Sequence, residues 1–436
     1  MTALRRRLAV VLGAALFVGG VGISPTRADV QVNTYTTSSQ YNPAVAVDSD
    51  GDFIVVWASL GSPGTDSAIF SIQGQRFASD GSASGAQFQV NSYTTSSQRS
   101  PEVAMDADGD FVIVWESQGS PGTDSSGYSI QGQRYASDGS TTGAQFQVNA
   151  YTSSDQTEPV VGMDSDGDFV VAWTSLISPG NDSSSYSIQG QRYASDGSTS
   201  GVQFQVNTFT SSEQTVPSID LEADGDFAIV WRSIGSGGGD PDDSIQLQRF
   251  ASNGSMVGSE MQVNTYTSGV QTSPAVAVDA DGDFVIVWQS AISGGGDTSA
   301  YSIQRRRYNS SGSALGVELQ VNTYTTSLQF DAAVSMDSDG DFVVVWNSSG
   351  SNGTDTSGPS IQGQRYASNG SAVGLEFQVN TVTTSFQDNP SVGMDADGGF
   401  VVVWNSSSSS GDDTSYSIQK SDPGLVPVEL QSFSVD

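Results

Sequence analysis

Carboxylates recur in a short turn that the chain repeats seven times, first as Asp48-Ser-Asp-Gly-Asp52. Asp-Gly is typical of tight hairpin turns, because glycine accepts a positive φ that other residues resist. Acids at alternate positions of such a turn repel one another, and bound Ca²⁺ would relieve that repulsion through its oxygen ligands. Turn formation alone and Ca²⁺ binding both account for the pattern. The candidate Ca²⁺ ligands are Asp48, Asp50, Asp52, Asp106, Asp108, Asp110, Asp164, Asp166, Asp168, Asp279, Asp281, Asp283, Asp337, Asp339 and Asp341.

Catalytic chemistry is limited by the residue types that the sequence lacks. There is no histidine and no cysteine, which excludes histidine-dependent triads, thiol nucleophiles and zinc sites with histidine ligands. A pair of carboxylates could still cleave a glycosidic bond, one as acid and the other as base or nucleophile. Glu102 and Asp220 are the candidate catalytic pair, because both lie on predicted innermost strands and break the repeat pattern there.

Residues that break a repeat are better candidates for ligand binding than residues that keep it. Such residues stand on the surface formed by two sets of predicted loops, those from strand four to strand one and those from strand two to strand three. Drift between copies explains them equally well. The candidate binding residues are Arg99, Glu102, Glu158, Arg232 and Asp331.

Arginine recurs once in the third predicted strand of six copies. Because a repeated residue usually serves the repeat itself, we expect these arginines to be structural and to pair with an acid of a neighbouring copy. They are Arg76, Arg134, Arg192, Arg249, Arg307 and Arg365.

The elements that position these residues belong to a repeat of about 58 residues, and such periods indicate solenoids or propellers. The first copy reads as four strands, Pro43–Val47, Phe53–Trp57, Ser71–Phe77 and Gln87–Asn91, separated by clusters of turn-forming residues. The second strand is apolar on both faces, as in a strand covered on both sides, so its tryptophan should be buried. The seven tryptophans are Trp57, Trp115, Trp173, Trp231, Trp288, Trp346 and Trp404.

The two ends of the repeat array are complementary. The Gln-Val-Asn at Gln31 precedes the first full copy, and the last copy ends after its third strand, which contains Ser417. An N-terminal strand that completes the last blade would close a ring and hide its edges. We therefore predict an all-β, seven-bladed β-propeller with four strands per blade, spanning residues 29–420 and followed by a tail at 421–436.

The repeat also resembles one found in bacterial secreted and cell-surface propeller proteins. The resemblance lies in Asp-x-Asp-Gly-Asp-Phe-x-x-x-Trp, then Gln-Gly-Gln-Arg-Tyr, then Phe-Gln-Val-Asn, and covers Gln31 to Lys420. It implies the propeller fold and a place at the cell surface or outside the cell. It implies no particular chemistry.

The first 28 residues have the order of a secretory signal peptide. Three arginines from Arg5 are followed by an apolar stretch and by small residues around Ala28. We therefore expect a secreted or surface-exposed protein with no membrane span. The formal net charge of −33 would repel nucleic acid, and we expect a monomer with Ca²⁺ as its one possible cofactor.

Three functions remain compatible with these features. The main interpretation is a non-catalytic binding or scaffolding module whose ligand is a glycan or a protein. The first alternative is a carbohydrate-active enzyme, similar to a glycoside hydrolase, that works with carboxylates alone. The second alternative is a purely structural surface protein.

Overall fold

The computed structural model describes most of the chain outside its two ends. The described residues are 29–61, 69–119, 122–124, 127–177, 185–235, 242–291, 301–350, 355, 358–384, 386–407 and 415–421. The predicted signal peptide, and the predicted tail beyond residue 421, lie outside these residues.

The described secondary structure consists of 28 strands. Strand β1 (Val30–Gln31) precedes the first blade. Blade one contains β2 (Gln40–Val47), β3 (Phe53–Leu60), β4 (Phe70–Phe77) and β5 (Phe88–Gln89), and blade two contains β6 (Gln98–Met105), β7 (Phe111–Gln118), β8 (Tyr128–Tyr135) and β9 (Thr141–Gln147). Blade three contains β10 (Gln156–Met163), β11 (Phe169–Leu176), β12 (Tyr186–Tyr193) and β13 (Phe204–Gln205), and blade four contains β14 (Gln214–Leu221), β15 (Phe227–Ile234), β16 (Asp243–Phe250) and β17 (Met256–Gln262).

The remaining blades repeat the same order. Blade five contains β18 (Gln271–Val278), β19 (Phe284–Ala291), β20 (Tyr301–Tyr308) and β21 (Leu319–Gln320). Blade six contains β22 (Gln329–Met336), β23 (Phe342–Ser349), β24 (Pro359–Tyr366) and β25 (Ala372–Gln378). Blade seven contains β26 (Gln387–Met394), β27 (Phe400–Ser406) and β28 (Ser417–Lys420).

Each blade is a four-stranded antiparallel sheet, and blade seven takes its fourth strand from the N-terminus. Strand β1 pairs with β28, with Val30 opposite Lys420 and Gln31 opposite Gln419. The amide of Val32 then donates to the carbonyl of Ile418 at 2.8 Å. The predicted fold class is therefore confirmed, including closure of the ring by the N-terminal strand.

The core lies between blades and is organised around the second strands. All seven tryptophans are 0% exposed, as the sequence predicts. Each tryptophan also satisfies its indole N–H inside its own blade. In blade one, Nε1 of Trp57 donates to Oε1 of Gln40 at 2.9 Å. This buried bond fixes the start of the innermost strand against the second strand.

The innermost strands begin earlier than predicted and contain a bulge. In blade one the ladder shifts register between Tyr41 and Ala44, and Asn42 has a φ of 52°. Six of the seven bulge residues precede a proline, and Asp331 precedes Ala332. This conformation is uncommon outside glycine. The bulge residues are Asn42, Ser100, Glu158, Val216, Ser273, Asp331 and Asn389.

The repeated arginines link neighbouring blades, and in blades two and four they do so through backbone carbonyls of the next blade. The guanidinium of Arg134 donates to the carbonyl of Ser195 at 2.5 Å, and Nη2 of Arg249 donates to the carbonyl of Ser311 at 3.0 Å. The turn of the next blade offers backbone carbonyls at this position, so Arg134 and Arg249 stabilise that turn through carbonyl oxygens, where the sequence analysis expected an acid.

Candidate active site in the central channel

The innermost strands of all seven blades enclose a central cavity of about 620 Å³. Three carboxylates that the sequence singled out line it, namely Glu102, Asp220 and Asp331. No arginine or lysine stands among the described residues of its wall. The channel is therefore an acidic pocket of the size that a small ligand or part of a polymer can enter.

Glu102 projects from β6 just after the bulge and is half-buried. The equivalent residues of blades one and three are Ala44 and Val160. Within the described part of the chain, no hydrogen bond or ion pair involves its carboxyl group. Burial raises the pKa of Glu102 to about 8, because no partner compensates for the loss of water. Burial without a compensating partner therefore favours the protonated form of Glu102.

Asp220 lies deeper in the channel, on β14, and is bonded to the backbone. Its Oδ2 accepts from the amide of Val278 in blade five at 2.8 Å, and its Oδ1 accepts from Leu221 at 3.0 Å. Burial raises the pKa of Asp220 to about 6, although these two bonds act in the opposite direction. One function of Asp220 is thus to bind the free edge of the next innermost strand.

Glu102 and Asp220 share the channel wall but occupy different levels of it. Glu102 is equivalent to Ser218 in blade four, two residues before Asp220, which corresponds to about 6.6 Å along a strand. Neither carboxylate influences the pKa of the other. The two acids face one cavity without forming a coupled pair.

Asp331 and Asp388 do form a coupled pair, at the end of the channel where the innermost strands begin. Burial raises the pKa of Asp331, and the negative charge of Asp388 raises it further. Nδ2 of Asn347 donates to Oδ2 of Asp331 at 3.3 Å. Burial also raises the pKa of Asp388, against a hydrogen bond from Asn405. Two neighbouring carboxyl groups with raised pKa therefore stand together at this end of the channel.

Arg99 and Glu158 join a network across blades two to four. Arg99 forms an ion pair with Glu116 at 2.6 Å, and Glu116 accepts from the amide of Glu158 at 2.9 Å. Oε2 of Glu158 accepts from Oγ1 of Thr174 at 2.7 Å and from the amide of Val216 at 2.9 Å. These contacts give Arg99 and Glu158 a structural function at the channel mouth.

Arg232 stands apart from the other candidate binding residues. Its Nη2 forms an ion pair with Oδ2 of Asp243 at 2.6 Å, within blade four. The structure thus joins Arg99 to Glu158, places Glu102 and Asp331 in the channel, and leaves Arg232 in a separate pair. As binding residues, all five stay predictions.

The acidic turns lie at the opposite end of the propeller and use their carboxylates within the turn. Oδ1 of Asp48 accepts from the amides of Asp50 and Asp52, both at 2.9 Å. Oδ1 of Asp52 accepts from the amide of Ser79 at 2.8 Å, which ties one hairpin to the next. Turn formation therefore accounts for the first and last acids.

One turn brings three carboxylates together. Oxygen atoms of Glu222, Asp224 and Asp226 lie within 4.8 Å of one another, and among the described residues this is the one such group. Burial raises the pKa of Glu222 to about 7, with a further contribution from the two aspartates. The carboxylate of Glu222 lies against Gly282 of the next blade, and the amide of Asp226 donates to Oδ1 of Asp224 at 3.2 Å.

Two site residues, Glu116 and Asp388, escaped the sequence analysis. Their positions differ in nearly every blade, and the sequence analysis singled out the arginines there, Arg99 and Arg232, but not these two acids. The equivalents of Asp388 are Tyr41, Arg99, Thr157, Thr215, Thr272 and Phe330. The signal that could have found Asp388 is its place directly before the bulge residue Asn389, next to a blade whose bulge residue is itself acidic.

The described residues contain no helix long and apolar enough to cross a membrane. No protein-family model matches the chain, and no curated protein matches it. Solved structures do match. One is a protein of unknown function from Dyadobacter fermentans, at 10% identity and a TM-score of 0.50, covering 91% of this chain and 98% of the other.

Two polysaccharide lyases match to the same degree. An ulvan lyase of a new polysaccharide lyase family, bound to -[GlcA(1-4)Rha3S]-, has 10% identity and a TM-score of 0.51, with 90% of this chain and 95% of the other covered. The polysaccharide lyase Uly1 has 10% identity and a TM-score of 0.52, with 87% and 89% covered. At this identity the likeness shows the fold.

These matches correct the main interpretation from sequence, which was a non-catalytic binding or scaffolding module. That interpretation is wrong, because two of the solved structures that share this fold are named as polysaccharide lyases. They favour the alternative from sequence, a carbohydrate-active enzyme that works with carboxylates. The chain is a seven-bladed β-propeller whose central channel carries acidic side chains.

Proposed function

We propose that the chain is a carbohydrate-active enzyme that hydrolyses a neutral glycan at the mouth of its central channel. It would act outside the cell, as the signal-like N-terminal residues indicate. Hydrolysis of a glycosidic bond needs a proton donor for the leaving oxygen and a second carboxylate on the other side of the sugar. The channel offers candidates for both functions.

The observation that carries the proposal is the state of Glu102. A half-buried carboxyl group without any partner destabilises the fold, since its charge loses water and gains nothing in return. The same isolation raises its pKa to about 8, which keeps the proton available at neutral pH. A carboxylic acid with a raised pKa is the proton donor that glycosidases use.

Asp331 is our candidate for the second carboxylate. It lines the same cavity as Glu102, and Asn347 holds its Oδ2. As a base, ionised Asp331 takes a proton from water while the water oxygen bonds to the anomeric carbon. Glu102 at the same time gives its proton to the departing oxygen. Asp388 tunes Asp331 through its charge.

Charge favours a neutral substrate. The wall of the cavity carries carboxylates and, among its described residues, no cation, and the formal net charge of the chain is −33. A uronic acid or sulfated polymer would be repelled from such a channel. Elimination at a uronate also needs a group that neutralises the substrate carboxylate, and hydrolysis of a neutral sugar does not.

Reducing-end release from a panel of neutral plant and microbial polysaccharides tests the proposal. Glu102→Gln keeps the shape of the side chain and removes its proton, and we expect a loss of about 100-fold or more in kcat. Asp331→Asn should reduce kcat similarly. Asp220→Asn tests the other channel acid that the sequence singled out.

Glu158→Gln is the matched control, because it makes the same chemical change at a mouth residue that bonds Thr174 and Val216. It should keep kcat and lower stability. A product that absorbs in the ultraviolet, as an unsaturated uronate does, would show that the reaction is elimination and not hydrolysis. If the wild type releases no product from any polymer, the proposed function is wrong.

A further inference from the structure

Three aromatic rings meet where the two ends of the chain close the ring of blades. The ring of Tyr41 lies 5.3 Å from that of Tyr416, tilted by 41°, and 6.1 Å from that of Phe70. All three side chains are half-buried, so part of each ring faces solvent. We call Tyr41, Phe70 and Tyr416 the seam aromatics.

The equivalent aromatic ring of blade two is covered. Tyr128 stands where blade seven has Tyr416, and the guanidinium of Arg99 lies 4.0 Å from the centre of its ring. Arg99 is itself the equivalent of Tyr41. At blade two the cation occupies the ring face. At the seam Tyr41 takes the position of that arginine, and its ring is tilted against Tyr416 and stands edge to face with Phe70.

Polar groups border the seam aromatics on the channel side. Nδ2 of Asn389 donates to Oδ1 of Asn42 at 3.1 Å. The carboxylate of Asp388 is close enough to Tyr416 to act on its phenol electrostatically. Oδ1 of Asp388 is buried and accepts no hydrogen bond from the described residues. A buried acceptor without a donor commonly indicates a ligand or water that is not present.

The seam is continuous with the proposed active site. Asn42, Asn389 and Asp331 all line the central cavity, and Tyr41 directly precedes Asn42 in β2. A polymer whose scissile glycosidic bond lies at Asp331 would extend over blade seven onto the seam. Sugar rings present an apolar C–H face to an aromatic ring and a rim of hydroxyls to carboxylates and amides, which matches this combination of groups.

We propose that the seam between blades seven and one is a subsite for a neutral sugar ring of the polysaccharide. Tyr41 and Tyr416 contact the face of the sugar, Asp388 accepts a hydroxyl hydrogen, and the amides of Asn42 and Asn389 complete the rim. This inference rests on the proposed function for the identity of the polymer. The proposed function concerns the residues that cleave the polymer, whereas this inference concerns the residues that bind it.

The test measures binding without cleavage. Glu102→Gln protein is titrated by calorimetry with cellohexaose, xylohexaose, mannohexaose and arabinohexaose. In that background, Tyr41→Ala and Tyr416→Ala should each weaken binding of the preferred sugar by about tenfold or more, a loss of about 1.4 kcal/mol. Tyr41→Trp keeps an aromatic face and should keep binding. Tyr128→Ala is the matched control at the covered ring and should leave affinity unchanged.

The outcomes separate the two proposals. Binding that depends on the seam tyrosines, in a protein that cleaves nothing, would support the subsite and overturn the proposed hydrolysis. Cleavage that needs Glu102 but shows the same KM in Tyr41→Ala, Tyr41→Trp and Tyr416→Ala would overturn the subsite. Binding of none of the four sugars would also overturn it. Unchanged circular dichroism of each variant confirms that the loss is local.

Discussion

Gly74 and Phe88 lie opposite one another in β4 and β5, and a Cβ on Gly74 would stand 2.8 Å from Cζ of Phe88. The phenyl ring thus covers the glycine and reaches the ring of Tyr135 in the next blade at 5.5 Å. In blade five the same two positions hold Arg305 and Leu319. Arg305 lies 4.2 Å from the ring of Tyr366, in the space that phenylalanine fills elsewhere.

This exchange predicts a coupled pair in blade five. Leu319→Phe alone should destabilise the protein by about 1–3 kcal/mol, because the new ring and the stem of Arg305 compete for one space. Arg305→Gly alone should leave a cavity over Tyr366. The double variant restores the pair of blade one and should be less destabilised than the sum of the two single variants. Urea denaturation measures the free energy of unfolding of all three. Additive costs would contradict the exchange.

Ring closure predicts that the N-terminal strand is essential. Deletion of Val30 to Thr36 removes β1 and Val32, which is 3% exposed, and uncovers the edge of β28. We expect aggregation or a large fall in melting temperature, because the unpaired edge can recruit another chain. A truncated protein that melts like the parent chain without residues 1–28 would show that closure contributes nothing.

Glu102 predicts how stability depends on pH. Its pKa is raised from an ordinary value of 4.5 to about 8, so between these values the folded state holds a proton that the unfolded state has lost. Its contribution is complete below pH 4.5 and is lost as pH rises towards 8. The slope is at most about 1.4 kcal/mol per pH unit.

The measurement is urea denaturation from pH 5 to pH 8.5 of wild type and Glu102→Gln. Subtracting the two curves removes the contributions of other acids with raised pKa, such as Glu222 and Asp337. The wild type should lose stability relative to the variant as pH rises. Parallel curves would mean that Glu102 titrates normally. The same ionisation should reduce glycan hydrolysis above about pH 8.

The acidic turns lead to a prediction about Ca²⁺. We expect millimolar Ca²⁺ to raise the melting temperature more than Mg²⁺ at equal ionic strength, since Ca²⁺ accepts the irregular geometry of a crowded turn. Glu222→Gln should remove part of the increase, because Glu222, Asp224 and Asp226 already converge. Asp397→Asn, in the turn that ends in Gly399, is the control. Equal melting temperatures in chelator, Ca²⁺ and Mg²⁺ would contradict Ca²⁺ binding and would mean that the acids only form the turns.

The fold was predictable because its determinants repeat. The spacing of tryptophan, the apolar second strand and the surplus strand near Gln31 together indicate seven blades and their closure. The start of β2 was not predictable, because the Asn42-Pro43 bulge reads as a strand boundary, and the predicted strand therefore begins only at Pro43. Proline lacks an amide donor and fits this bulge, but blade six keeps the same shift of register at Asp331-Ala332 without a proline.

The candidate site was predictable in part. Glu102 was found because an acid replaces a small or apolar residue of the innermost strand. The coupling of Asp331 to Asp388 was not, since it depends on how two adjacent blades pack. The contact of Tyr41 with Tyr416 joins residues from opposite ends of the chain, and periodicity carries no information about which side chains meet there.

The pairing of β1 with β28 also sets an order of events during synthesis. Among the described strands β1 comes first in the chain and its partner β28 comes last, so a growing chain carries an unpaired edge until Ser417 to Lys420 have been made. Blades one to six each contain all their strands in sequence and can form as they emerge. Blade seven, and with it the seam aromatics, becomes complete only afterwards. Only a chain that contains both strands could therefore bind a glycan at the seam, and a chain interrupted before residue 417 would not bind there.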